Sequence, residues 1–181
     1  MKTSIIKQTI LKVFCMFLLL FIIIKSFAAS TNFAPKIQEA KVKAAMIYQI
    51  IKMINWPDKK TNLSICIIGE ESYLGNELLK MNRKISEGRQ LSIIRRSLDS
   101  PIERLCDAIV IQDESINHVK AILKKINYNP ILSISDISDF AKQGGILELY
   151  KKGDQIKFLI NEDIAKQTNL HMDSKLIKLA K

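Results

Sequence analysis

Residues 13–24, VFCMFLLLFIII, form an unbroken run of twelve apolar residues ahead of everything else that could fold. Lys2, Lys7 and Lys12 precede the run with no acidic residue among them. Behind it, Ser26 and Ala28 flank Phe27, the small-x-small pattern at which a secretory signal is cut. A bilayer-spanning helix needs about 20 apolar residues, so the run reads as a signal rather than a span. An uncleaved anchor reaching back to Ile5 is the alternative. Cys15 lies inside the run and reads as one more apolar residue. The organisation expected is therefore a signal peptide over 1–28, a short linker over 29–36 and one domain over 37–181.

Losing residues 1–28 removes four lysines and no acid, which takes the net charge from +10 to +6. That balance favours acidic partners or an anionic surface, and export excludes nucleic acid. About 150 residues suffice for one domain with its own core. The sequence holds no internal repeat or low-complexity tract.

Beyond the spacer, apolar periodicity sets the elements. Ala44, Ile47, Ile51 and Ile54 recur at helical spacing, which predicts a helix over 37–55, ended by Trp56-Pro57. Met46, Ile50 and Met53 form a second stripe beside the first, broader than one buried face requires. Short apolar runs predict strands at 63–68, 91–94, 107–111 and 130–135. Helices are predicted at 73–81, 116–126 and 136–142, the last stopped by Gly144-Gly145. Residues 146–150 and 155–160 read as a hairpin about Gly153. Asn161 caps a further helical segment, and 174–179 is a short amphipathic tail. Strands alternating with helices predict a three-layer α/β/α single domain, its sheet mostly parallel with an antiparallel C-terminal hairpin edge.

Few residues suggest chemistry. Cys66 and Cys106 are the cysteines left after signal removal, and in an exported chain two cysteines read as a disulfide. Two reduced core thiols are the bland alternative. His118 and His171 stand apart with no ligand-spaced partner, so no metal or other cofactor is expected. Ser133 and Ser135 lack a nucleophile elbow, and Asp136 and Asp139 read as helix caps. GEESYLG at 69–75 sits where a phosphate loop would, but lacks the lysine and carries Glu70 and Glu71. All five arginines (Arg83, Arg89, Arg95, Arg96 and Arg104) fall within 22 residues. They are either a solvated face or an anion-recognition patch, for which Arg83, Arg89, Arg95 and Arg96 are the candidates.

Several motifs stand in a recognisable order: KAAMIYQIIKMINWP at 43–57, LSICIIGE at 63–70, LCDAIVI at 105–111, and the stretch from ILSISDISDF through the double glycine to the end. In this order the chain resembles the YfiR-like family of exported regulatory proteins. The resemblance implies a small, commonly dimeric α/β domain in the periplasm without known catalysis. It also implies that Cys66 and Cys106 match a family pair that forms a disulfide within the domain. A second family cysteine pair, near the double glycine, is missing here, so redox sensing by that pair does not carry over.

The function expected is a periplasmic, non-enzymatic regulator. It would bind the outer part of a membrane signalling protein of the diguanylate cyclase type, in cyclic di-GMP signalling. Met46, Ile50 and Met53 are the candidate dimer or partner contact. The alternative is a small-ligand module for a cell-wall fragment, amino acid or nucleotide, or a sensor accessory to a membrane kinase. Its crevice would lie near Gly69 and Ser135, at the strand carboxyl ends.

Overall fold

The computed structural model describes residues 33–58, 60–112 and 116–180. The expected signal peptide and the first half of the linker, residues 29–32, lie outside them. Residues Glu39–Lys181 make one compact unit. Among the described residues, no helix is long and apolar enough to cross a membrane.

Helix α1 (Phe33–Ile51) leads into strand β1 (Ile54–Asn55). Then follow β2 (Asn62–Ile68), α2 (Tyr73–Leu79), β3 (Ile85–Ser86), β4 (Arg89–Arg96), α3 (Ile102–Leu105) and β5 (Ala108–Ile111). The second half runs α4 (Ile116–Ile126), β6 (Leu132–Ser135), β7 (Leu147–Lys152), β8 (Gln155–Ile160), α5 (Glu162–Gln167), β9 (His171–Met172) and α6 (Ser174–Leu179).

Seven strands form one sheet in the order β3-β4-β2-β5-β6-β7-β8. From β4 to β7 every pairing is parallel, while β3 and β8 pair antiparallel at the two edges. The expected three-layer architecture with its C-terminal hairpin is present, and β3 is an antiparallel edge the sequence reading did not include. Strands β5 and β6 are buried at every residue, as a strand covered on both faces must be. Strand β4 instead alternates, with Leu91 and Ile93 inward and Ser92 and Ile94 outward. On one face, residues of α1, α2, α5 and α6 share a core with Leu63, Ile65, Ile67, Val110 and Ile134. On the other, α3, α4 and Phe140 pack against Cys66, Ile68, Ile109 and Ile111.

Two expected helices are corrected. The first starts at Phe33, within the expected linker, and ends at Ile51 rather than at residue 55. Pro35 is tolerated there because first-turn N–H groups have no partner inside a helix. Ile54 leaves the helix because it pairs with Met172, and Asn55 with His171.

The second correction is larger. Residues 136–142 form successive turns, not a helix. The buried Glu148 carboxylate accepts the backbone N–H groups of Asp139 at 3.1 Å and Ala141 at 3.0 Å. Asp139 itself adopts a positive φ of 61°, outside the helical region.

Candidate functional site

The disulfide staples the centre of the sheet. Cys66 stands on β2 beside Ile109 of β5, and Cys106 closes α3 two residues before β5 begins. The two are bonded, with a Cα–Cα distance of 5.8 Å. Both are buried, Cys66 at 1 % exposure and Cys106 at 6 %. The bridge thus belongs to the core and offers no exposed sulfur to a partner.

The arginines do not form one patch. Arg89 and Arg96 sit at opposite ends of β4, about 23 Å apart along an extended strand. Arg95 and Arg96 are neighbours, so their side chains leave opposite faces of the sheet. Arg83 belongs to the preceding turn, with a φ of 67°. Arg89 donates to the Asp58 carbonyl. Arg95 donates to the Glu70 carbonyl at 3.2 Å and to Asn76 Oδ1 at 2.9 Å. The guanidinium of Arg95 therefore ties the 69–72 loop to α2.

Gly75 makes that tie possible. A Cβ there would stand 2.6 Å from Gln112 Oε1 and 2.9 Å from Arg95 Nη2. Gln112, which follows β5, was no candidate from sequence, because nothing local marks it.

The crevice expected at Gly69 and Ser135 is corrected on its second residue. Ser135 is fully buried, donates to the Ile111 carbonyl at 2.7 Å and accepts from Ile137 N at 3.2 Å. Its hydroxyl serves the chain itself.

On α1 the second apolar stripe divides. Ile50 is 3 % exposed and lies in the core, so it offers nothing to a partner. Met46 and Met53 are half-buried against the same core. Val42 is 40 % exposed and stands one turn before Met46, on the same side.

A polar cluster that sequence reasoning missed lies beside this helix. Lys43 Nζ is 2.7 Å from Glu39 and 2.8 Å from Asp136, and Lys151 is 3.3 Å from the other Glu39 oxygen. Burial alone would lower the Lys43 pKa, but hydrogen bonds to Asp136 and Glu39 outweigh it and raise it above its ordinary value. The hydrogen bond from Lys43 holds the Glu39 carboxyl below its ordinary range. Glu39 and Lys43 stand four residues apart on α1, but Asp136 and Lys151 come from elements distant in sequence, so spacing reveals only the first pair.

Among the described residues, no three His, Cys, Asp or Glu side chains gather as a metal site.

A family model described as YfiR/HmsC-like matches residues 40–181. The chain belongs to this family. The match covers the whole sheet, both cysteines and most of α1. The family implies, in general terms, a periplasmic regulator of cyclic di-GMP signalling.

Among solved structures, the chain is similar to a conserved domain protein from Vibrio cholerae O1 biovar eltor. Identity is 12 %, the TM-score is 0.55, and the match covers 78 % of this chain and 59 % of the other. At that identity the likeness concerns the fold. No curated protein matches the chain.

Proposed function

We propose that the protein is a non-catalytic periplasmic regulator that binds the outer portion of a membrane signalling protein of the diguanylate cyclase type. Membership of the YfiR/HmsC-like family across residues 40–181 is the observation that carries this reading. The contact surface is the outer side of α1, where Val42 and Met46 lie, with Met53 just beyond the helix. A second copy of the chain or the receptor would cover it. The export signal over 1–28 delivers the domain to the compartment where such a receptor is reached from outside.

The test is the cellular cyclic di-GMP level in the source cell. Deleting the gene should raise it, and an exported wild-type copy should restore it. A copy carrying Val42→Glu and Met46→Glu should be exported and folded yet fail to restore it. An unchanged level on deletion would refute the regulatory reading. Full restoration by the double variant would refute the α1 surface.

A further inference from the structure

A cavity of about 280 Å³ lies between α4, the 143–146 turn and α5, away from the α1 surface. Ile126, Ile131, Ile146 and Ile164 supply its apolar wall. Lys120 and Lys124 also line it, and no acidic side chain does. The two lysines are four residues apart on α4, so they stand one above the other on the same side of the helix. An apolar wall with a pair of cations beside it suits an amphipathic anion.

Two further groups refine the ligand. Ser133 lines the cavity and is 1 % exposed. Its Oγ accepts from Ile146 N at 2.9 Å. A hydroxyl also donates one proton, and among the described residues Ser133 Oγ appears only as an acceptor. Gln143 lines the same cavity, and its Oε1 is buried without a hydrogen-bond partner. Its amide nitrogen is already engaged, donating to the Ser138 carbonyl at 3.4 Å. Buried polar atoms are rarely left unpaired, so the cavity wants one acceptor and one donor from its occupant.

We propose that this cavity binds a small amphipathic carboxylate bearing a hydroxyl near its head, a short-chain hydroxy acid. Its carboxylate sits at Lys120 and Lys124. Its hydroxyl donates to Gln143 Oε1 while its head accepts from Ser133, and its tail lies on the isoleucines. The volume falls just under the about 300–1,000 Å³ of common ligand pockets, which limits the tail to a short one. The assignment is independent of the partner-binding proposal, since no residue is shared between them.

The test is an NMR titration of the purified protein with 3-hydroxyoctanoate, read at backbone amides. Saturable shifts centred on Lys124, Gln143, Gly144 and Ile146 are expected. Lys120→Gln with Lys124→Gln should weaken binding about five- to tenfold, the effect of two solvent-facing ion pairs. Octane-1,3-diol, which keeps the hydroxyl and tail without the carboxylate, should bind the wild type more weakly by a similar factor. Both lysines are exposed, so the variant should keep the wild-type melting temperature. The proposal is overturned if no saturable shift occurs at these amides. It is equally overturned if the diol, or the double variant with the acid, binds as tightly as the wild type with the acid.

Discussion

The ring of Phe140 packs directly against the backbone of Gly145, where a Cβ on the glycine would have to stand. Phe140 is fully buried and fills the core on the α4 side of the sheet. The glycine is therefore a packing requirement. Its neighbour Gly144 has the opposite character, with a φ of 99° and open space where a side chain would go.

Gly145→Ala should consequently cost about 3 kcal/mol, the upper end of ordinary overpacking, because an aromatic ring and a strand-leading backbone must separate. Gly144→Ala should cost about 1–2 kcal/mol through backbone strain alone. Adding Phe140→Leu should recover part of the loss for Gly145→Ala and none for Gly144→Ala. Urea unfolding of the four proteins measures this, and equal rescue at both sites would contradict it.

The disulfide closes a loop of 40 residues. On the chain-entropy estimate that contributes about 4 kcal/mol, a large part of a small domain's stability. The double variant Cys66→Ala, Cys106→Ala should lose about that amount in denaturant unfolding. Because both sulfurs are buried, reductant added to the folded wild type should act slowly, and quickly once denaturant opens the domain. Rapid reduction under native conditions would show that the bridge is accessible and open to exchange.

The cluster around Lys43 predicts a stability that depends on pH at both extremes. The Glu39 pKa is depressed below its ordinary 4.5, so its contribution is present above that value and fades as pH falls through the folded value. The Lys43 pKa is raised above its ordinary 10.5, so its contribution is present below that value and fades as pH rises through the folded one. Glu39→Gln should lower stability by about 1 kcal/mol near neutral pH, a partly exposed pair being screened by solvent. The gap from wild type should close as pH drops below 4.5. Melting curves between pH 3 and 7 decide the matter, and a gap that persists at the acid end would show that charge is not its cause.

The parts of the fold that were legible in the sequence are those whose signal is local. Continuous apolar runs marked β2, β5 and β6, and α4 and α6 lie at the expected residues because a strong periodicity fills them. The short pair β1–β9 was not legible, since two residues carry no period and Ile54 continues the helical stripe of α1. The turns at 136–142 read as a helix because the hydrogen bonds that shape them end on Glu148, in the next strand. The candidate arginines share a short stretch of chain, yet strand geometry separates them. The cavity was invisible for the complementary reason. Lys120, Ser133, Gln143 and Ile164 are ordinary residues in sequence and meet only through the packing of α4, β6 and α5.

The division of the α1 stripe separates folding from association experimentally. Ile50→Asp would bury an unpaired carboxylate in the core, which costs several kcal/mol and should unfold the domain. Val42→Glu and Met46→Glu change side chains that reach solvent, and should leave the melting temperature within a few degrees of wild type. If the outer side of α1 is an interface, that double variant should shift any dimer toward monomer in light scattering while its circular dichroism stays native. Replacing the exposed Leu179 at the far end of the chain (63 % exposed) by Glu should leave association unchanged, because isolated exposed apolar residues are normal on a surface. Loss of association in both variants would point to a general effect of added negative charge on this basic domain. Loss in the α1 variant alone would locate the contact where Val42 and Met46 stand.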